Sequence, residues 1–335
     1  MSPQPPAADR SRLLPWLAAV VVGLGAAGAL ALELIARGPR QLMVAISSWP
    51  GYEYFYLAEQ KDLAGRFRLD LRVEQFSSLQ DQRRAYGNGA VDVIATTVPE
   101  AIAICQESPR RCPQLVLVLD ESVGADRLVA RREIQHPEQL LGRRVGLEAS
   151  VLGQYLLLSS FRERPVKLEQ MSLIYDGPQA LVRSLQAGQL DAIVTYAPHD
   201  VPLRDDERFH TLFSSAALPG QVVDVLAVDP AFARRHPDAV RALVRTWWAA
   251  QAEVRSNPGP SVALMASRQR MAAQEFLRTE EGLRYPGPTQ QRWLLAADGP
   301  LARSMARMSN LMQKAGRIRP DAPRPELSTA YLEEP

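Results

Sequence analysis

Apolar residues follow two different periods along most of this chain. Short apolar runs, typical of buried strands, alternate with stretches in which apolar residues recur every three or four positions, as on one face of a helix. This alternation predicts an α/β protein with mainly parallel sheets and right-handed helical crossovers. The predicted strands cover residues 42–47, 69–75, 91–96, 115–119, 128–130, 144–147, 168–174, 192–196 and 222–228.

Two segments of the chain are alike. Gly-Ala-Val-Asp-Val-Ile-Ala-Thr at 89–96 and Gly-Gln-Leu-Asp-Ala-Ile-Val-Thr at 188–195 each follow a predicted helix and end where a predicted strand ends. In open α/β sheets, ligands bind beyond the carboxyl ends of the strands. The repetition indicates two similar lobes with a crevice between them, although a helix, a glycine and a strand also follow one another in many other α/β proteins.

Two breaks in the pattern predict where the chain crosses between the lobes. The first is the small and charged stretch 120–126, and the second is 212–220. We therefore predict a discontinuous first lobe, residues 41–122 plus 223–319, and a second lobe, residues 123–222. Beyond residue 230 the pattern is helical; the longest predicted helix ends at 257–259, and the Pro-rich tail 320–335 is expected to be poorly ordered.

Residues 13–32 form an uncharged, almost wholly apolar run that follows Arg10 and Arg12. A run of about 20 residues can cross a bilayer, and the preceding positive charges favour a cytoplasmic N-terminus. The segment is either an uncleaved membrane anchor or a cleaved secretory signal, because Ala29-Leu30-Ala31 resembles a cleavage site. Both interpretations place residues from about 40 onward outside the cytoplasm, either tethered to the inner membrane or secreted.

Composition and motifs exclude several classes of function. The formal net charge is +2, and residues 1–40 account for that excess, so the remainder lacks the basic face of a nucleic-acid-binding domain. Gly23-Leu24-Gly25-Ala26-Ala27-Gly28 fits a dinucleotide fingerprint but lies inside the apolar run, with no strand before it. With four histidines and no nucleophile elbow or phosphate loop, we expect no catalytic residues, no metal and no cofactor.

The two cysteines, Cys105 and Cys112, bracket a polar turn between a predicted helix and a predicted strand. In an oxidising compartment, a local disulfide is favoured over two unpaired thiols.

Several short motifs resemble, in order, the substrate-binding proteins of nitrate-, sulfonate- and taurine-type ABC importers. The first is Ser-Trp-Pro-Gly-Tyr-Glu at 48–53, and their collinearity over most of 44–265 carries the resemblance. The other segments are 56–63, 91–97, 124–126, 140–146 with 148–157, 191–198, 223–228 and 256–258. The resemblance implies a type II periplasmic binding protein with two α/β lobes, no catalysis, and ABC permease subunits as partners. An uncleaved membrane helix would depart from this family.

By position and by this resemblance, the loops after the strands should line a ligand cleft. The N-terminus of the helix after Ser150 would suit an anion, but Glu148 beside it would repel one. The aromatic and acidic candidates favour an amine-bearing or heteroaromatic ligand over a simple anion. His199 is a weaker candidate on a predicted strand-end loop. The ligand-binding candidates are Ser48, Trp49, Tyr52, Thr96, Thr97, Glu148, Ser150, Val151, Asp176, Tyr196 and Asp224.

Together these features predict an exported, monomeric solute-binding protein that presents a small organic molecule to an ABC permease. The alternative is a membrane-tethered sensing module that acts through a partner protein, which a persistent anchor would favour.

Overall fold

In the computed structural model, which describes residues 40–162, 164 and 166–332, strands and helices alternate as far as residue 228 and helices dominate thereafter. The strands are β1 (Arg40–Ile46), β2 (Leu69–Gln75), β3 (Val93–Thr97), β4 (Gln114–Ser122), β5 (Asp126–Arg131), β6 (Arg144–Leu147), β7 (Ser172–Tyr175), β8 (Ala192–Tyr196), β9 (Phe209–Ser214), β10 (Val223–Val228), β11 (Leu283–Arg284) and β12 (Glu326–Leu327). The helices are α1 (Glu53–Gln60), α2 (Leu79–Gly87), α3 (Val98–Glu107), α4 (Val151–Ser160), α5 (Pro178–Gln186), α6 (Val201–Arg204), α7 (Pro230–Arg235), α8 (Pro237–Ser256), α9 (Pro258–Arg268), α10 (Ala273–Glu280), α11 (Pro288–Leu294) and α12 (Pro300–Lys314).

The apolar run 13–32, predicted to be a membrane anchor or a signal, lies outside the described residues. Within the described part of the chain, every helix is too short or too polar to span a bilayer.

The strands form two separate sheets. The first has the order β11-β4-β10-β3-β1-β2, with β12 paired to β4, and the second has the order β7-β6-β8-β5-β9. Residues 123–125 connect β4 of the first sheet to β5 of the second, and residues 215–222 lead from β9 back to β10.

Each sheet contains both parallel and antiparallel pairs. The expectation of mainly parallel sheets was therefore wrong for two strands, β5 and β10. β10 runs antiparallel to both β3 and β4, and β5 runs antiparallel to both β8 and β9. These are the two strands that the chain enters immediately after passing from one sheet to the other. The chain enters each of them at the junction, so it runs away from the junction while the neighbouring strands run towards it.

One local prediction was wrong about where a strand begins, and another gave only part of the local structure. Residues 168–170 form a 3-10 turn, and the strand predicted at 168–174 begins only at Ser172. The stretch 257–259 ends one helix and also starts another, because Pro258 lies in the first turn of α9, where its missing N–H costs no helical hydrogen bond.

The prediction of a poorly ordered Pro-rich tail was also wrong. Glu326 and Leu327 pair with Gln114 and Leu115 at the N-terminal end of β4. Tyr331 is buried against the core of the first sheet. The described part of the tail, residues 320–332, is ordered because it completes an otherwise open part of the sheet and covers apolar surface, which composition alone does not reveal.

Cys105, at the end of α3, forms a disulfide with Cys112, just before β4. The bond closes the turn that contains the 3-10 segment Pro109–Arg111. It therefore links the C-terminal end of α3 to the N-terminal end of β4.

We expect the double substitution Cys105→Ser/Cys112→Ser to lower the free energy of unfolding by about 2 to 3 kcal/mol, the loop-closure entropy of a loop this short. Urea unfolding of the oxidised protein would measure this loss. Reductant should destabilise the wild type to a similar extent and leave the double variant unchanged; an equal effect of reductant on both would contradict the prediction.

Candidate functional site

A small cavity lies where the two sheets meet. The space available to the centre of a water-sized sphere is about 10 Å³, close to the minimum for one water molecule. The walls therefore have to separate before a larger molecule can enter. The lining residues are Ser47, Trp49, Tyr52, Leu79, Thr97, Asp126, Leu152, Tyr196 and Asp224.

Four carboxylates are buried in or beside this cavity. Asp120, Asp126, Glu148 and Asp224 are each no more than 7% exposed. Asp120 comes from β4, Asp224 from β10 and Asp126 from the start of β5, so the strands at both crossings contribute. No lysine, arginine or histidine is among the ion-pair partners described for these four groups.

Their hydrogen bonds leave two oxygen atoms unused. The indole Nε1 of Trp49 donates to both oxygens of Asp120, at 3.1 and 3.3 Å, and the Tyr52 hydroxyl donates to Asp224. Oδ2 of Asp126 and Oε1 of Glu148 have no hydrogen-bond partner among the described residues. A buried oxygen without a donor is costly, so a donor arriving with a ligand would be strongly favoured here.

Burial without an opposing charge raises the pKa of Asp120, Asp126 and Glu148 to about 7. The pKa of Asp224 is raised well above its ordinary value, by burial first and by the charge of Asp120 second. The cavity is consequently short of positive charge, and a cation placed in it would bring these pKa values back down.

Aromatic side chains connect the two sides of the cavity. Trp49, in the loop after β1, packs on Tyr196 at the end of β8, with ring centroids 6.0 Å apart. Beside this contact, the Ser48 hydroxyl is 2.9 Å from Nε2 of His199. Burial lowers the pKa of His199 to about 4, so its ring is neutral at pH 7. These contacts join a loop of the first sheet to a loop of the second.

The helix N-terminus predicted as an anion site is already filled by a side chain of the protein. Ser150 caps α4 by accepting a hydrogen bond from the amide of Gly153 at 3.0 Å. The next two amides, of Val151 and Leu152, donate to Oε1 of Glu100 at 2.6 and 3.0 Å. Glu100 comes from α3, on the side of the first sheet.

The structure brings most of the sequence candidates to the cavity or its immediate surroundings. Of the eleven, those that line the cavity itself are Trp49, Tyr52, Thr97, Tyr196 and Asp224. Ser48 lies in a neighbouring groove with His199, while Ser150 and Val151 face a different depression.

Thr96 and Asp176 do not line the cavity. Thr96 points into the core, because adjacent residues of a strand face opposite sides. Asp176 is exposed, and its Oδ1 accepts a hydrogen bond from the amide of Gly177. Its side chain bonds to the neighbouring residue and does not line the cavity.

Sequence reasoning missed Ser47, Leu79, Asp126 and Leu152 as lining residues. A signal for Asp126 was present, since it ends the charged stretch 120–126. That stretch indicated only a crossing point, because nothing in its pattern shows that acidic residues at a crossing are enclosed between the sheets.

Comparison with known proteins places this geometry in a family. Residues 36–264 match the family model described as the NMT1-like family. The chain belongs to the NMT1-like family. A taurine-binding periplasmic protein of Escherichia coli is 24% identical to this member of the family over 243 residues, which are 70% of this chain and 74% of that protein. The resemblance to nitrate-, sulfonate- and taurine-type binding proteins, inferred from sequence motifs, is confirmed.

Solved structures show that the fold is that of periplasmic binding proteins. The alkanesulfonate-binding protein of Xanthomonas axonopodis pv. citri, bound to MOPS, has a TM-score of 0.69 at 15% identity, with coverage of 88% of this chain and 98% of that one. The periplasmic nitrate-binding protein of Synechocystis has a TM-score of 0.67 at 10% identity, with coverage of 84% and 83%. These relatives are binding proteins, and none is named as an enzyme.

The raised pKa of Asp126 predicts a pH dependence of stability. Its value of about 7 in the folded protein, against 3.8 ordinarily, means that the folded state binds the proton more tightly than the unfolded chain. This contribution to stability is complete below about pH 4 and is lost as the pH rises through about 7, to an extent of at most about 4 kcal/mol. We therefore expect the free energy of unfolding of the ligand-free protein to fall between pH 5 and pH 8.

Urea unfolding at both pH values would measure this fall. Asp126→Asn should remove part of it, and Asp176→Asn, at an exposed acid, should keep the wild-type dependence. A wild type that becomes more stable towards pH 8 would show that these carboxylates are not buried without compensation.

Proposed function

We propose that this chain is an extracytoplasmic solute-binding protein that captures a small organic molecule between two lobes and delivers it to an ABC importer. The observation that carries this proposal is the cavity at the junction of the two sheets, which is lined from both sides. Membership of a family whose named relatives are periplasmic binding proteins supports it.

In this proposal each sheet and its helices form one lobe: residues 41–122 and 223–319 form the first, and residues 123–222 the second. The ligand enters when the lobes separate, and contacts across the junction re-form on closure. Ligand binding then shifts the population towards the closed form, because only that form surrounds the ligand from both sides. The packing of Trp49 on Tyr196 belongs to the closed form.

We further propose that the ligand carries a positively charged amine or a heteroaromatic ring. Two buried carboxylates, Asp126 and Glu148, each keep an unpaired oxygen for an N–H donor. Trp49 and Tyr52 offer ring faces to a cation or to a flat ring. The named relatives include proteins that bind taurine, alkanesulfonate and nitrate. An isolated anion would lie beside Asp126 and Asp224, and no lysine or arginine is among the lining residues described for the cavity.

The apolar run 13–32 bears on where the protein is located. We propose that it exports the chain and holds it at the outer face of the inner membrane, or is removed so that the protein is free in the periplasm. The mass of the mature protein would distinguish these two forms.

Thermal unfolding of residues 40–335 against a ligand panel would test the function and the ligand class together. The panel should contain polyamines, quaternary amines and pyrimidines beside taurine, alkanesulfonates and nitrate. A ligand at about 100 times its Kd should stabilise the protein by roughly 2.7 kcal/mol. We expect this response with an amine or a pyrimidine. The substitutions Asp126→Asn and Glu148→Gln should each weaken the affinity for that ligand at least tenfold.

Asp176→Asn is the matched control, because it removes an acidic charge outside the cavity and should leave the affinity unchanged. Stabilisation of the wild type by sulfonates alone, retained in Asp126→Asn, would contradict the acidic-site proposal while keeping the transport function. A protein that responds to no small molecule would contradict the transport function.

A further inference from the structure

Glu100 has an unusual position for a glutamate on the first turn of a helix. It is completely buried, and its carboxylate reaches from α3 to the N-terminus of α4. There Oε1 accepts two backbone hydrogen bonds, from Val151 and Leu152. The helix α3 packs beside the first sheet, whereas α4 packs against β5, β8 and β9 of the second, so Glu100 joins the two sides.

The second oxygen of this carboxylate is equally well satisfied. Arg83, from α2, donates from Nη1 to Oε2 of Glu100 and is itself only 6% exposed. The other nitrogens of the same guanidinium contact Glu107 at 3.2 and 3.3 Å. Two amide groups at a helix N-terminus and one arginine thus converge on a single carboxylate.

This set of donors is what proteins use to bind anions. The first amides of a helix lack partners within the helix, and the helix dipole adds positive potential at that end. A guanidinium beside them supplies charge and further donors for a carboxylate, sulfonate or phosphate oxygen. In this protein a side chain of the same chain fills that position.

The position borders the candidate ligand site. Leu152, whose amide contacts Glu100, lines the cavity, and so does Thr97, whose hydroxyl accepts a hydrogen bond from the amide of Glu100 at 3.4 Å. The charge of Glu100 also contributes to the raised pKa of Glu148. An anion held by these donors would therefore lie between the cavity, which Leu152 and Thr97 line, and the neighbouring depression, which Arg83 and Val151 line.

We propose that Glu100 is a specificity-determining residue that acts as a built-in anion. It occupies the donors that would otherwise hold an anionic group of a ligand, and so it excludes anions from the site. The inference rests on the proposed solute-binding function and adds the physical reason why this chain would select a cation. Glu100 also ties the two sides of the junction together, because its carboxylate contacts Arg83 of α2 on one side and two amides of α4 on the other.

Substitution Glu100→Ala tests this role, because it removes the only described acceptor of the two amides and leaves Arg83 with Glu107 alone. We expect the variant to gain a saturable rise of several degrees in its Tm with methanesulfonate or sulfate, measured against sodium chloride at equal ionic strength. The wild type should show no such rise. Glu107→Gln is the matched control, since it removes the more exposed partner of Arg83 and leaves the α4 amides capped by Glu100.

A folded Glu100→Ala protein that responds to methanesulfonate no more than the wild type would overturn the proposal. A wild type that itself gains a saturable stabilisation from methanesulfonate would also overturn it. Should Glu100→Ala be unfolded in chloride, we expect methanesulfonate to restore its far-ultraviolet circular dichroism, and failure to do so would count against the proposal.

The measurement is independent of the natural ligand. An anion response gained by Glu100→Ala supports the role of Glu100 even when the wild type responds to no member of the ligand panel. The lack of a wild-type response would contradict the proposed transport function alone. Conversely, a wild type that binds an amine, together with a variant that gains no anion response, would keep the transport function and remove the role of Glu100.

Discussion

Negative charge buried without a counter-ion is the interaction on which the rest of this site depends. Asp120, Asp126, Glu148 and Asp224 are all enclosed at the junction of two sheets. Each such group would prefer to be solvated, paired or protonated, and burial raises the pKa of all four. Hydrogen bonds from Trp49 and Tyr52 satisfy part of this demand, and the remainder is left for a ligand to satisfy.

The topology explains why these groups meet. A chain that crosses from one sheet to the other enters the new sheet at the junction, so the first residues of β5 and β10 lie there. Those residues include Asp126 and Asp224. The neighbouring strands run the opposite way and bring their last residues, such as Thr97 and Tyr196, to the same place. The direction of the two antiparallel strands, β5 and β10, therefore places Asp126 and Asp224 at the cavity.

The same junction is closed by contacts of different chemistry. Trp49 packs on Tyr196 through apolar and aromatic contact, Ser48 and His199 share a hydrogen bond, and Glu100 bridges to α4 through charge. In the proposed mechanism, opening the junction would break all of these contacts together. A ligand that adds favourable contacts to both sides has only to compensate the difference between two states, which is how a small molecule can control the position of large elements.

Much of this architecture follows from local sequence. The period of the apolar residues predicted most of the strands up to β10, since buried strands and amphipathic helices each require a particular spacing. It missed β9, whose residues 212–214 had been assigned to the second crossing. The motifs beginning at Ser48 identified the family, and the spacing of Cys105 and Cys112 predicted a local disulfide. Aromatic residues at or after the ends of predicted strands pointed to Trp49, Tyr52 and Tyr196, because ligands bind at strand ends in α/β sheets. Asp224 was a candidate at the start of a predicted strand.

Tertiary structure alone decided which of these groups face one another. Asp126 was part of a predicted crossing and became a cavity wall, whereas Asp176 followed a strand in the same manner as the others and stayed in solvent. Glu100 resembled an ordinary first-turn acid, yet it reaches a helix that begins fifty-one residues later in the chain. Periodicity indicates which residues of each segment are buried. Which residues meet across a junction depends on how segments far apart in the chain pack together, and no local pattern specifies that packing.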